Sequence, residues 1–332
     1  MNFKKLFINT FFAIVTFLIG ISAFVIIVDP YQQYRKSDVF IVNQRLENPG
    51  VARHHDYDMV ITGSSMAMNH YCSQVDSLFD CNSINLSIMG ATSYGYETLF
   101  KSLYESGKMR QVIIALDYFS FCRSMVPLDM YLYDDCIWND YEYWINYSSV
   151  KNAVVKLTNK FTPSRDSVYR FKSPNNREQL RKCYKNAQSS YFKGEDYDLK
   201  QLTKRFDQMM DVIAPEKNDV NYYFYFPPYS VLEFRVMQQY GYWENVKQFK
   251  EYIMNRLLSF DNVKLYDFQS DIMTTDVEEY MDLRHHSHDY SKKVIDSMSK
   301  DSCLVTKANY KQHLKNWEHI VDSFDVKELI DF

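Results

Sequence analysis

Two short stretches of this chain carry residue types that could act together on an acyl group. Residues 61–66 read Ile-Thr-Gly-Ser-Ser-Met. An apolar strand running into small residues lifts a hydroxyl clear of the strand's carboxyl end, where ligands bind in open α/β sheets. Gly63 relieves crowding at so sharp a turn, and backbone N–H groups just after it can face a developing oxyanion. Residues 282–287 read Asp-Leu-Arg-His-His-Ser. A hydroxyl nucleophile needs a base, and near neutral pH that base is usually histidine. A carboxylate three residues earlier can hold the ring's second nitrogen and stabilise the imidazolium. The chemistry implied is attack by Ser65 on an ester carbonyl, with His285 as base and Asp282 as its orienting partner. Each stretch also has an ordinary reading. Gly-Ser-Ser is a common turn, and Ser287 could simply cap a helix over 288–299.

The elements between them must bring the two stretches together. Short β-rich apolar runs at 59–62, 84–86, 112–116, 222–226 and 263–266 alternate with helical patterns at 93–107, 199–213, 232–258, 288–299 and 309–331. That alternation predicts βαβ units and an α/β domain on a parallel sheet of about five strands. Gly107 with Lys108 marks a helix stop. Residues 123–198 break the rhythm. They are rich in Tyr, Asp, Asn, Lys and Ser, and too long for a simple loop, so a mostly helical cap or insertion on the sheet's active edge is expected. The segment 306–332 is expected as an amphipathic helix packing through Trp317, Phe324 and Leu329.

The N-terminus predicts a membrane anchor. Residues 6–28 carry no charge. At ~1.5 Å per residue they match a hydrocarbon layer ~30 Å thick, and they are longer than the apolar part of a signal peptide. Lys4 and Lys5 precede the run, and Arg35 and Lys36 follow it. A five-residue tail with two lysines favours the cytoplasmic side, with the bulk of the chain outside. The expected order is a tail at 1–5, a span at 6–28 in contact with lipid, a stalk at 29–57 and the α/β domain at 58–305. The formal charge of −4, from 38 basic and 42 acidic residues, leaves no basic excess for nucleic acid. Hydrophobic residues at 46% and charged residues at 24% suit a packed core and argue against disorder. The 28 tyrosines and 23 phenylalanines suit stacking on sugars, and equally suit cores.

The remaining residues that could bind metal or form bridges give weaker signals. Six cysteines form no CxxC pair, so no zinc ribbon or thioredoxin site is indicated. Cys72 with Cys81, and Cys122 with Cys136, are disulfide candidates outside the cell; six buried thiols is the other reading. His286 and His288 lack acidic or cysteine partners, so no metal is expected. His54, His55 and His70 read as surface residues, and Trp138, Trp144 and Trp243 as packing residues.

Taken together, the two stretches and their order resemble the SGNH (GDSL-like) hydrolase superfamily. The resemblance spans roughly residues 55–300 and rests on four short blocks. It implies a three-layer αβα, flavodoxin-like fold with Ser65 as nucleophile, and Asp282 and His285 in the last block. It also implies an oxyanion hole from the N–H groups of Ser65 and of Gly90, in the Asn-Leu-Ser-Ile-Met-Gly stretch after the second strand. No cofactor or metal is implied. Two positions depart from the family. Ser64 stands where Gly-Asp-Ser has Asp. Ala115-Leu116-Asp117-Tyr118 stands where Gly-x-Asn-Asp would supply an asparagine donor, and an ionised Asp117 donates nothing. Ser64, Asp117, Tyr118 and Tyr229 are expected on the substrate side of the site.

The anchor, the Gly-Ser-Ser block and the missing asparagine are similar to a membrane-anchored bacterial subgroup of DltD-like and polysaccharide O-acyltransferase-like proteins, as is the 225–230 loop, Tyr-Phe-Pro-Pro-Tyr-Ser. That resemblance implies a serine esterase or acyltransferase at the cell membrane, its catalytic domain extracytoplasmic. Its substrate would be O-acyl, most simply acetyl, groups of a cell-envelope glycan or other acylated polymer, with a multi-span membrane acyltransferase as donor partner. The alternative is a weak or inactive SGNH-fold protein that binds an envelope polymer or such a partner.

Overall fold

The structure is a computed structural model that describes residues 3–41, 43–122, 128–134, 136–158, 165–166, 177–187 and 194–327. In chain order the elements begin with α1 (Phe3–Val28), α2 (Gln44–His54), β1 (Met59–Thr62), α3 (Cys72–Phe79), β2 (Ser83–Asn85), α4 (Ser93–Ser106) and β3 (Gln111–Ala115). Next come α5 (Tyr141–Ile145), α6 (Tyr147–Thr158), α7 (Arg177–Asn186), α8 (Leu199–Ile213), β4 (Asn221–Phe226), α9 (Val231–Gln239) and α10 (Trp243–Leu257). The chain finishes with β5 (Val263–Asp267), α11 (His288–Ser299), β6 (Leu304–Val305) and α12 (Tyr310–Ser323). These elements form two compact units. One is built from Met1–His55 and Leu128–Ser167, the other from Asp56–Pro127 and Val168–Phe332.

The first unit centres on the end of a helix that is long and apolar enough to cross a membrane. All of α1 up to Gly20 is exposed except the half-covered Val15. Its last two turns pack against α5 and α6, where Val25 and Tyr31 are buried with Leu46, Leu132 and Tyr143. Asp29 ends the helix in the left-handed region at φ 48°. Its buried carboxylate accepts the backbone N–H groups of Gln33 (2.8 Å), Tyr34 (2.8 Å) and Arg35 (3.0 Å), and the Tyr143 hydroxyl (3.0 Å). Four donors satisfy the oxygens of this buried carboxylate. Within residues 29–57, expected as a stalk, Gln44–His54 form α2. Gln32 reaches Glu47 of α2 at 3.1 Å, and Gly50 lies so close to the Gln32 backbone that a Cβ there would meet its carbonyl at 2.2 Å. His54 and His55, expected at the surface, bond to the Gln33 carbonyl (2.8 Å) and the Gln32 side chain (2.6 Å).

The second unit holds a six-stranded sheet in the order β2-β1-β3-β4-β5-β6. Strands β1 to β5 are parallel, and only the two-residue β6 runs antiparallel, against β5. All four residues of β1 are buried, as a parallel strand covered on both faces requires. On one side Met59, Ile61, Ile113, Ala115, Tyr225 and Tyr266 pack against Cys72 and Val75 of α3 and Val294, Ile295 and Met298 of α11. Tyr222 has the opposite parity, and its hydroxyl bonds Tyr104 of α4 at 2.7 Å. The helical pattern over 232–258 is interrupted where Gly241 takes φ 79°, giving α9 and α10. Trp317 of α12 is buried against Trp243 and Phe234, with ring centroids 4.5 and 5.0 Å away, while Leu329 lies outside the described residues.

The expected cap at 123–198 divides. Residues 128–158 fold with α1, α7 and residues 194–198 fold with the sheet, and 123–127, 135, 159–164, 167–176 and 188–193 lie outside the described residues. All six cysteines are free, so neither candidate disulfide forms.

Candidate active site

The site begins where β1 ends. Parallel register pairs Thr62 with Ile114, so the exits of β1 and β3 lie side by side. Gly63 fills the crossing. A Cβ there would come within 2.7 Å of the Ala115 Cβ and 2.8 Å of the Ala67 Cβ, closer than any side chain tolerates. The turn then tightens through Ala67 N–H to the Ser64 carbonyl (3.2 Å) and Met68 N–H to the Ser65 carbonyl (3.4 Å). The next loop is tied to it, because the Ile88 N–H donates to the Gly63 carbonyl at 2.9 Å. Gly90 follows in the left-handed region at φ 65°.

The base comes from the loop before α11. A β-bridge between Tyr280 and His286 makes this loop a small hairpin, and the Ser230 N–H donates to the Leu283 carbonyl at 3.2 Å, fastening it to the loop after β4. Inside the hairpin, Asp282 accepts the N–H groups of Arg284 and His285 on Oδ1, both at 2.8 Å. Its Oδ2 lies 2.6 Å from His285 Nδ1. Burial works against the Asp282 charge, but the His285 ring and these backbone donors outweigh it and hold the carboxyl at about 2. With Nδ1 donating to Asp282, the neutral ring leaves Nε2 to accept. His285 Nε2 lies 2.8 Å from Ser65 Oγ. Arg284 points elsewhere. Its Nε and Nη2 hold Glu233 at 2.8 and 2.7 Å, and its guanidinium lies over the Phe119 ring at 5.4 Å.

Beneath Ser65 is a second buried chain. Ser64 Oγ donates to Asp117 Oδ2 and accepts the Met66 N–H at 3.2 Å. The Tyr229 hydroxyl donates to Asp117 Oδ1 at 2.7 Å. Burial pushes the Asp117 carboxyl up, against the pull of these two donors. Tyr118 meets the Tyr229 ring edge-on, with centroids 6.0 Å apart, but its hydroxyl does not join this chain. Its hydroxyl donates to Gln269 at 2.6 Å, and its ring stacks with Phe226 and Trp317.

The structure thus brings Ser65, His285 and Asp282 into one hydrogen-bonded line. Ser64, Asp117, Tyr118 and Tyr229 were the residues expected on the substrate side. All four are fully buried and present no surface to a ligand, and Ser64, Asp117 and Tyr229 instead brace the turn that carries Ser65. The N–H groups of Ser65 and Gly90 have no acceptor among the described residues. His70, expected at the surface, is buried with Nε2 at 2.7 Å from the Tyr225 hydroxyl. Burial, with His286 nearby, lowers it to about 3, and burial lowers His286 to about 4, so both rings stay neutral. Sequence reasoning missed the Glu233–Arg284 pair and the Ser64–Asp117–Tyr229 chain. The proline-stiffened 225–230 loop was the only signal for Tyr229.

A further cavity of about 340 Å³ opens between α4 and α8, lined by Tyr94, Glu97, Gln201, Lys204, Arg205 and Gln208 among others. Every one of those six side chains offers a hydrogen bond.

No family model matches the chain, and no curated protein matches it in sequence. Among solved structures, it is similar to a protein from Desulfitobacterium hafniense DCB-2 assigned to the G-D-S-L family of lipolytic proteins. The match has 12% identity and a TM-score of 0.40, and covers 73% of this chain and 98% of the other.

Proposed function

We propose that this protein is a membrane-anchored serine ester hydrolase or acyltransferase of the SGNH type, built as a three-layer αβα sandwich in the flavodoxin strand order. The observation that carries this reading is the unbroken line from Ser65 Oγ through the His285 ring to the Asp282 carboxylate. In the first half-reaction His285 Nε2 takes the Ser65 proton as Oγ bonds to the ester carbon. The charge on the carbonyl oxygen is met by the N–H groups of Ser65 and Gly90. The C–O bond to the alcohol then breaks, the alcohol leaves with the proton from imidazolium, and an acyl-Ser65 remains. In the second half-reaction water, or a glycan hydroxyl, gives its proton to His285 as its oxygen bonds to the acyl carbon; the bond from that carbon to Oγ then breaks, and Ser65 recovers the proton from the imidazolium. We read α1 as the anchor, with the α/β unit on the outer side. The test is fluorophosphonate labelling together with turnover of a chromogenic acetyl ester. Wild type should label and turn over, and Ser65→Ala should do neither while keeping its melting temperature. Turnover that survives Ser65→Ala removes the mechanism.

A second reading is a polymer-binding protein with little catalysis. Asp117 favours it, because a carboxylate occupies the place of a side-chain oxyanion donor. Absence of fluorophosphonate labelling in a folded wild type would select this reading.

A further inference from the structure

We infer that α5, α6 and the residues just before them form a collar that lies in the outer headgroup layer of the bilayer, around the end of α1. This inference rests on the reading of α1 as a membrane span. Counting from Leu6, a hydrocarbon layer of ~30 Å takes up about 20 residues at 1.5 Å each, which ends near Val25. α5 and α6 pack on α1 at that level, since Val25 shares a buried cluster with Tyr143 of α5, and Trp144 of α5 and Val150 of α6 pack against that cluster. Lys156 of α6 donates to the Asp29 carbonyl at 2.8 Å, fixing the far end of α6 to the end of α1.

The collar's polarity is inverted. On α6, Ser149 and Ala153 are buried, and Asn152 bonds inward to the Tyr31 hydroxyl at 2.6 Å. The opposite stripe at i, i+4, i+7 and i+8 is exposed and reads Tyr147, Lys151, Val154, Val155. Trp138 and Tyr147 are each 82% exposed, and Tyr141 and Ile145 of α5 are also exposed. α8 shows the opposite pattern: it buries Leu202, Phe206, Met209 and Ile213 and turns Lys200 and Lys204 outward. A helix with small polar residues inward and Val, Tyr and Trp outward is suited to lipid as its solvent. Trp and Tyr favour the water–lipid boundary, where an apolar ring and a polar tip are both satisfied, and Lys151 can extend its ammonium to the phosphates. The collar continues the lipid-facing surface of α1 itself, so its occupant is the bilayer.

The test uses the full chain in nanodiscs of phosphatidylcholine and phosphatidylglycerol, with or without brominated acyl chains, together with alkaline carbonate extraction of membranes. Brominated lipid should quench wild-type tryptophan emission, and Trp138→Phe should remove at least half of the quenched intensity. Val154→Asp with Val155→Asp should reduce the quenching of Trp138 at least two-fold while the protein resists extraction. If the protein resists extraction but Trp138→Phe leaves the quenching unchanged, the anchor stands and the collar fails. If carbonate releases the wild type, the anchor reading fails and the collar with it. If Trp138 is protected from aqueous quenchers only in native membranes and is untouched by brominated lipid, it docks on another protein, and the collar fails.

Discussion

Asp282, half-buried at the mouth of its hairpin, keeps its charge because the His285 ring and two backbone N–H groups converge on it. Its carboxyl is depressed to about 2, so its contribution to stability is complete above the ordinary carboxylate range and is lost as pH falls through about 2. Asp282→Asn should therefore lower the urea midpoint near pH 6, and the gap from wild type should narrow on acidification toward pH ~2. A gap that stays constant across that window would show that the charge does not matter. Ser65→Ala should cost at least about a thousand-fold in kcat/KM with an unchanged urea midpoint, because it removes the nucleophile and leaves the fold's contacts in place. Asp117 works differently. Replacing it with alanine strips the acceptor from two buried donors, Ser64 and Tyr229, and should cost about 1–3 kcal/mol in chemical denaturation. Ester turnover should also fall, since Ser64 no longer fixes the turn under Ser65. The types and spacing of Ser65, Asp282 and His285 were legible in the sequence. The role of Asp117 was not, because its partners lie 53 and 112 residues away and only the parallel register of β1, β3 and β4 brings them together.

At the β1 exit a strand, a turn and the neighbouring strand meet with no spare volume. Gly63→Ala should force the turn and β3 apart and cost about 1–3 kcal/mol, with ester turnover reduced further than stability alone explains. Ala115→Gly in the same chain opens space for the new methyl and should recover part of both losses in the same assays; no recovery would mean that backbone conformation, not crowding, is the constraint. Strand positions were readable because apolar β-branched and aromatic runs stand between helical stretches, and all five parallel strands fall within a residue of expectation at each end. The elements that escaped notice lack such signals. α2 contains Pro49 and Gly50, both unfavourable inside a helix, and it is held by contacts with the Gln32 region rather than by propensity. α3 buries only Cys72 and Val75 of its eight residues, too few to show a period. β6 is two residues long. The break at Gly241 could have been read from the glycine alone.

The molecule as a whole is unusually dependent on phenols. Tyr96, Tyr118, Tyr197, Tyr225, Tyr229 and Tyr280 are buried in the α/β unit, and burial raises the pKa of every one. Their contribution is complete below the unfolded tyrosine value of ~10 and is lost as pH rises past it, by up to about 1.4 kcal/mol per phenol for each further pH unit. The urea midpoint should fall steeply above pH ~10, and part of the phenolate absorbance should appear only together with unfolding. Complete phenolate formation before the unfolding transition would show that these six hydroxyls are accessible to solvent. The buried Asp29 carboxylate has a consequence of another kind. Its ligand Tyr143 comes 114 residues later in the chain. At translation rates of roughly 5–20 residues per second, the ribosome needs about 6–23 seconds to deliver it. Throughout that interval the newly made α1 carries an acidic end with only local amides to hold it. The nascent chain cannot seal this end until β1, β2 and β3 have already emerged.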